Sequence, residues 1–246
     1  MPAPLRPGAL ALALAVTPIA AAHAAVIGQT DTFQDLTLSG WFAGGGAFVA
    51  TPAVPPAVTA SGGPAGAGDA FMLVTATGGS GPGSRLVAQN DTQWAGNYLA
   101  AGITGIALDL RNFGTSDLAI RLELLRIPDD RIITSVAALL PAGGGWTNVS
   151  FSLASPDLTA LLGAAGDALG GLSLLRIVHA PTAAFTGPSV AVPVIAQLGV
   201  DNVTALGTTG GGGGIAVPEP SGLLLLATGL LALGAAAPRR RLRTST

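Results

Sequence analysis

The chain has 246 residues, a formal net charge of −2, and neither cysteine nor lysine. Disulfides, thiolate metal sites and a phosphate-cradling Gly-Lys-Ser loop are therefore excluded. Between Ala25 and Ala216 six arginines face eleven aspartates and Glu123, a net charge of −6 that argues against nucleic acid or anionic membranes as partners.

In chain order, the first segment reads as a secretory signal peptide over residues 1–24. Arg6 is its sole charge, Ala9 to Val16 form an apolar run, and Ala22-His23-Ala24 is a small-x-small cleavage site. Pro18 interrupts a run already too short to span a membrane. Cleavage after Ala24 removes His23 and leaves His179 as the single histidine.

Residues 25–206 then alternate strand-like runs with glycine and proline punctuation, the pattern of an antiparallel β-sandwich. Runs at Ala70 to Ala76, Arg85 to Ala88, Ile103 to Leu110, Arg131 to Ala138, Trp146 to Leu153, Leu172 to His179 and Leu198 to Ala205 predict strands. The sharpest signal is Leu118, Ile120, Leu122 and Leu124 on one face with Arg121 and Glu123 on the other, the period-two alternation of a half-buried strand. One helix is predicted over Pro156 to Ala168, with Ser155 as N-cap and Asp157 in its first turn. Two long loops, Gly44 to Gly68 and Thr182 to Pro193, read as surface excursions because they lack charged residues suited to contacts.

Chemistry-bearing motifs are scarce. Gly78-Gly79-Ser80-Gly81-Pro82 departs from a nucleophile elbow because proline takes the last glycine's place. A serine triad would need His179, which closes a strand-like run and reads as a hydrogen-bonded structural residue. Asp129-Asp130 sits in a turn, where aspartate bonds the local backbone. For glycan stacking the candidates are Trp94 and Tyr98, four apart in a polar segment, with core packing as the competing role. Trp41 and Trp146 follow turn glycines and read as core.

Residues 207–216 are a glycine-rich linker. Residues 217–246 form a three-part tail: Val217-Pro218-Glu219-Pro220, an uncharged stretch from Ser221 to Ala237 holding seven leucines, and the basic cluster Arg239, Arg240, Arg241 and Arg243. Seventeen residues at about 1.5 Å each span roughly 25 Å as a helix, slightly short of a hydrocarbon core of about 30 Å, a deficit that arginine snorkelling covers. Basic residues at one end only hold that end in the cytoplasm, so the middle of the chain is extracytoplasmic.

This tail resembles the PEP-CTERM sorting class of Gram-negative bacteria that make extracellular polysaccharide. The resemblance implies recognition of Pro218-Glu219-Pro220 by an exosortase, after passage through the secretion translocon and cleavage by signal peptidase. The route is then a transient inner-membrane anchor through the C-terminal helix, followed by the cell surface or extracellular matrix.

The central domain carries a second resemblance. Asp31-Thr32-Phe33-Gln34-Asp35 with Gly40-Trp41, and Gly199-Val200-Asp201-Asn202-Val203, are similar to the first and last strands of jelly-roll carbohydrate-binding modules. That resemblance implies a structural calcium held by Asp31, Asp35 and Asp201, with backbone carbonyls and water completing its oxygen shell; turn-capping is the alternative role for these aspartates. The expectation is a non-catalytic envelope or matrix protein associated with exopolysaccharide. The alternatives are a structural surface protein with protein partners and, last, a hydrolase using His179 and a carboxylate.

Overall fold

The computed structural model describes residues 24–43, 53–186 and 189–208. The signal segment up to residue 23, residues 44–52 of the first long loop, and the linker and sorting tail from 209 onward lie outside the described residues.

Within them the protein is all-β, two antiparallel sheets sharing one core. The six-stranded sheet runs β10 (Thr147–Ser152), β6 (Ile103–Asn112), β13 (Ile195–Gly207), β4 (Phe71–Thr77) and β3 (Ala57–Thr59), with β1 (Thr30–Asp31) also paired to β13. The seven-stranded sheet runs β11 (Leu158–Leu162), β8 (Asp130–Thr134), β7 (Leu118–Arg126), β12 (Leu174–His179), β5 (Val87–Asn90) and β2 (Phe42–Ala43), with β9 (Ala138–Leu140) on the far part of β7. Sequence-distant strands lie side by side, β13 between β6 and β4, and β12 between β7 and β5, as a jelly-roll-type sandwich requires.

Alternation sets which side chains meet. Ile106, Leu108 and Leu110 of β6, Met72 and Val74 of β4, and Leu198 and Val200 of β13 point into the sandwich. They meet Leu118, Ile120, Leu122 and Leu124 of β7 and Leu175 and Ile177 of β12. Each such side chain removed from water contributes roughly 1.5–3 kcal/mol, which stands in for the absent disulfides.

Three expectations need correction. The helix predicted over Pro156 to Ala168 is instead a 3-10 turn at Ser155–Asp157, strand β11, and a short helix α2 (Ala165–Gly170). The Ser-Pro-Asp signal does start a turn, but Leu158 to Leu162 then pair with β8, and sheet hydrogen bonding outweighs local propensity. A further helical turn, α1 (Tyr98–Ala101), starts where the Asn97 side chain accepts from Ala100 N–H at 2.8 Å.

The second correction concerns β7, which is buried on both faces rather than half-buried: Arg121 and Glu123 are 7% and 1% exposed. The reason is the second long loop, whose Val190 and Ala191, together with Ala180 just before it, pack on Val87, Ile133 and Val178 across the outer face of the seven-stranded sheet. The third is Trp146, which lies partly exposed on the outer face of the six-stranded sheet. It meets Phe71 and Phe113 edge-on at 5.2 and 6.0 Å. The cluster closes over Gly199, where a Cβ would come within 2.8 Å of the Trp146 ring and 2.7 Å of Phe113.

Candidate functional site

Trp94 and Tyr98 are both 0% exposed, so neither ring is a glycan platform. The Trp94 indole N–H donates to Asp31 at 2.7 Å, and the Tyr98 hydroxyl donates to the Trp94 carbonyl at 2.9 Å. Burial also pushes the Tyr98 phenol above its ordinary pKa. Trp41 is core, as its turn glycine suggested, and it too donates its indole N–H to Asp31 at 2.7 Å.

The calcium set does not assemble. Asp31 is ringed by N–H donors, the two indoles and the Gln93 amide at 3.2 Å, the surroundings of an anion held by hydrogen bonds rather than of a metal ligand. Asp35 accepts from the Thr37 backbone and hydroxyl at 2.9 Å each, which lowers its pKa, so it caps its own turn. Asp201 stands on the other side of a bulge in β13, where Asn202 takes φ 49° and the register slips between Asp201 and Thr204. Among the described residues no three histidine, cysteine or acidic side chains come together to hold a metal.

Asp201 has an electrostatic role of its own. It is 0% exposed, its Oδ1 accepts from Asn202 N–H at 2.8 Å, and its Oδ2 has no hydrogen-bond partner. Burial, reinforced by the nearby Asp69 and Asp109 carboxylates, pushes its pKa up to about 7. His179 is buried, its Nδ1 accepts from Ala119 N–H at 3.1 Å, and burial lowers its pKa.

The arrangement with recognition chemistry lies on the outer face of the seven-stranded sheet, where strand register builds a row. Phe42 of β2 lies beside Gln89 of β5, Gln89 beside Arg176 of β12, and Arg176 beside Glu123 of β7. Glu123 faces Ile133 of β8, and Arg131, two residues earlier on the same face of β8, reaches back to it. Arg176 Nε donates to Gln89 Oε1 at 2.7 Å, and its Nη1 donates to Glu123 Oε2 at 3.3 Å. Arg131 Nε lies 3.2 Å from Glu123 Oε1, an ion pair without hydrogen-bond alignment, since that oxygen has no hydrogen-bond partner. The Arg131 guanidinium sits 5.3 Å from the centre of the Phe185 ring, which is 43% exposed. Arg131 and Arg176 keep 23% and 14% side-chain exposure while Glu123 keeps 2%.

One row thus joins a buried carboxylate and a buried amide, Glu123 and Gln89 at 1% and 0% exposure, to two partly open guanidiniums and two flanking aromatics. Sequence reading missed it because Phe42, Gln89, Glu123, Arg131 and Arg176 are far apart in the chain and meet only through strand order. The one available signal was that Glu123 is the sole glutamate of the central domain.

No protein-family model matches the chain, and no curated protein matches it significantly. Among solved structures, an exo-β-agarase shares the fold with a TM-score of 0.50 at 9% identity, over 74% of this chain and 25% of the agarase. The chain therefore spans about a quarter of that enzyme's length. A family 11 carbohydrate-binding module of a cellulosomal cellulase from Clostridium thermocellum aligns with a TM-score of 0.46 at 10% identity, over 75% of this chain and 96% of the module. A family 28 module specific for non-crystalline cellulose gives 0.45 at 13%, over 78% of this chain and all of the module. At 9% identity the likeness to the agarase is one of fold alone.

Proposed function

We propose that this is an exported, surface-sorted, non-catalytic protein whose β-sandwich associates with polysaccharide through the outer face of the seven-stranded sheet. The observation that carries the reading is the Gln89–Arg176–Glu123–Arg131 row, because outward positions of a sandwich ordinarily meet water with independent polar side chains. Here they form a linked network bordered by Phe42 and Phe185, and linked polar groups beside aromatic rings are the chemistry that recognises sugars. The jelly-roll fold, shared with part of an agarase, supports the same reading.

The non-catalytic assignment draws on the state of the two groups best placed for hydrolysis. Glu123 is flanked by two arginines, and His179 Nδ1 is committed to the backbone. Export rests on residues 1–24 and on the 217–246 tail, with Val217-Pro218-Glu219-Pro220 as the exosortase motif and Arg239, Arg240, Arg241 and Arg243 as the cytoplasmic stop; among the described residues no helix is long and apolar enough to cross a membrane.

The test uses residues 25–209, whose described part closes around one core of its own. Incubated with exopolysaccharide from the producing cell, this domain is expected to co-sediment with the polymer, and Arg131→Gln with Arg176→Gln to weaken retention about tenfold or more. Absence of retention, or retention indifferent to both changes, would falsify the assignment of this face.

A further inference from the structure

We infer that the polysaccharide this face takes is an anionic one, with sugar carboxylates as the recognised groups; the inference rests on the glycan-binding reading above. It comes from counting donors against acceptors. The Arg131 Nη groups have no hydrogen-bond partner among the described residues, and its side chain is held only by the Glu123 ion pair and the Phe185 ring. Arg176 spends Nε on Gln89 and Nη1 on Glu123, which leaves Nη2 over. On the acceptor side, Gln89 Oε1 is taken by Arg176, and the face's one carboxylate is 1% exposed between two guanidiniums. The row therefore offers donors and withholds acceptors.

A neutral sugar hydroxyl both donates and accepts, so a site built for it needs accessible acceptors as well. A carboxylate only accepts, and the planar fork of an arginine fits it with two parallel hydrogen bonds. Charge points the same way. Arg121, Arg131 and Arg176 meet a single Glu123 on the outer face of this sheet, whereas Asp69, Asp109 and Asp201 gather at the opposite sheet with Arg111. The basic surplus stands out because the domain as a whole is acidic, at −6. Arg121 adds field rather than contacts, because its guanidinium donates to the carbonyls of Thr134, Ser135, Ala180 and Pro181 under the loop.

Affinity electrophoresis of residues 25–209 through gels containing polygalacturonate or a neutral mixed-linkage β-glucan separates this inference from the reading beneath it. The expected result is retardation by polygalacturonate alone, reduced about tenfold in apparent affinity by Arg131→Gln. A polyuronate carries a condensed counter-ion atmosphere, so two neutralised charges predict a fall of roughly five- to tenfold in wild-type affinity between about 50 and 200 mM salt. Retardation by the β-glucan, alone or equally, overturns the anionic preference and leaves glycan binding standing. Retardation by neither polymer removes both. Polygalacturonate binding with no salt dependence overturns the inference even if the Arg131 variant fails to fold.

Discussion

Asp31 shows how one side chain can tie together parts of a chain that contains no cross-link. Its carboxylate gathers Trp41, Trp94 and Gln93, and its strand pairs with β13, so the start, middle and end of the domain meet at one anion. Charge-assisted bonds in a dry site are stronger than neutral ones, and removing the acceptor leaves two buried indole N–H groups without partners. Asp31→Ala is expected to cost about 3 kcal/mol in urea unfolding, whereas Asp35→Ala, which only loosens an exposed turn, is expected to cost less than about 1 kcal/mol. Asp201 acts in the opposite sense. Its folded pKa of about 7 lies above the ordinary 3.8, so the folded state holds a proton that the unfolded state has released. Its contribution to stability is complete below about pH 4, declines as pH rises towards 7, and is level above that. His179, whose folded pKa is lowered from 6.5, works the other way as pH rises through its own range, so the raw stability profile mixes the two. Thermal melts of wild type and Asp201→Asn across pH 4 to 8 isolate the aspartate: the variant is expected to gain on wild type as pH rises. A constant difference between them would show that Asp201 stays ionised when buried.

At the level of the element, legibility followed how local each signal was. The Leu118 to Leu124 alternation is carried by neighbouring residues and was readable, as were the runs that became β4, β6, β10, β12 and β13. The run from Arg131 to Ala138 was readable only in part, because the chain breaks at Ser135 before β9. What could not be read was what lies above a strand. Arg121 and Glu123 are correctly turned outward by the alternation, yet they are buried, because a loop some 60 residues away covers one and cross-strand arginines flank the other. Trp94 and Tyr98 have the polar neighbours of a binding loop, but the Trp94 indole is spent on Asp31 and the Tyr98 hydroxyl on the Trp94 carbonyl. β1, β2 and β3, two or three residues each, are too short for any periodicity to register. The covering loop depends on Arg121, whose donors reach four backbone carbonyls. Arg121→Leu is expected to lower stability by about 2 kcal/mol. It is also expected to speed hydrogen exchange of the Val192 amide, now bonded to His179 O, more than that of the β6 and β13 amides. Uniform acceleration across all of these would mean the loop opens only with the whole domain.

On the scale of the whole molecule, two sheets place opposite chemistry on opposite faces. The six-stranded sheet presents aspartates and the Phe71–Phe113–Trp146 cluster, and the seven-stranded sheet presents arginines under a partial cover. The overall negative charge, which argued at the outset against anionic partners such as nucleic acid, averages over this division and conceals it. A net charge constrains long-range encounter, while the distribution decides which surface meets an oppositely charged polymer. The end signals on which the proposed export rests lie outside the described residues, and their information is length, hydropathy and charge order alone.

The pairing of β1 with β13 has a topological consequence. Gly28 N–H donates to Ala205 O and Ala205 N–H to Gln29 O, both at 2.9 Å, so the domain's entry and exit lie next to each other. A circularly permuted form, with residues 24 and 208 bridged by a few glycines and fresh termini cut at the exposed Gly143 turn, should fold and melt cooperatively. By the same geometry, a load applied between the two natural ends meets β1 and β13 as a zipper opened from one side, its hydrogen bonds parting one after another.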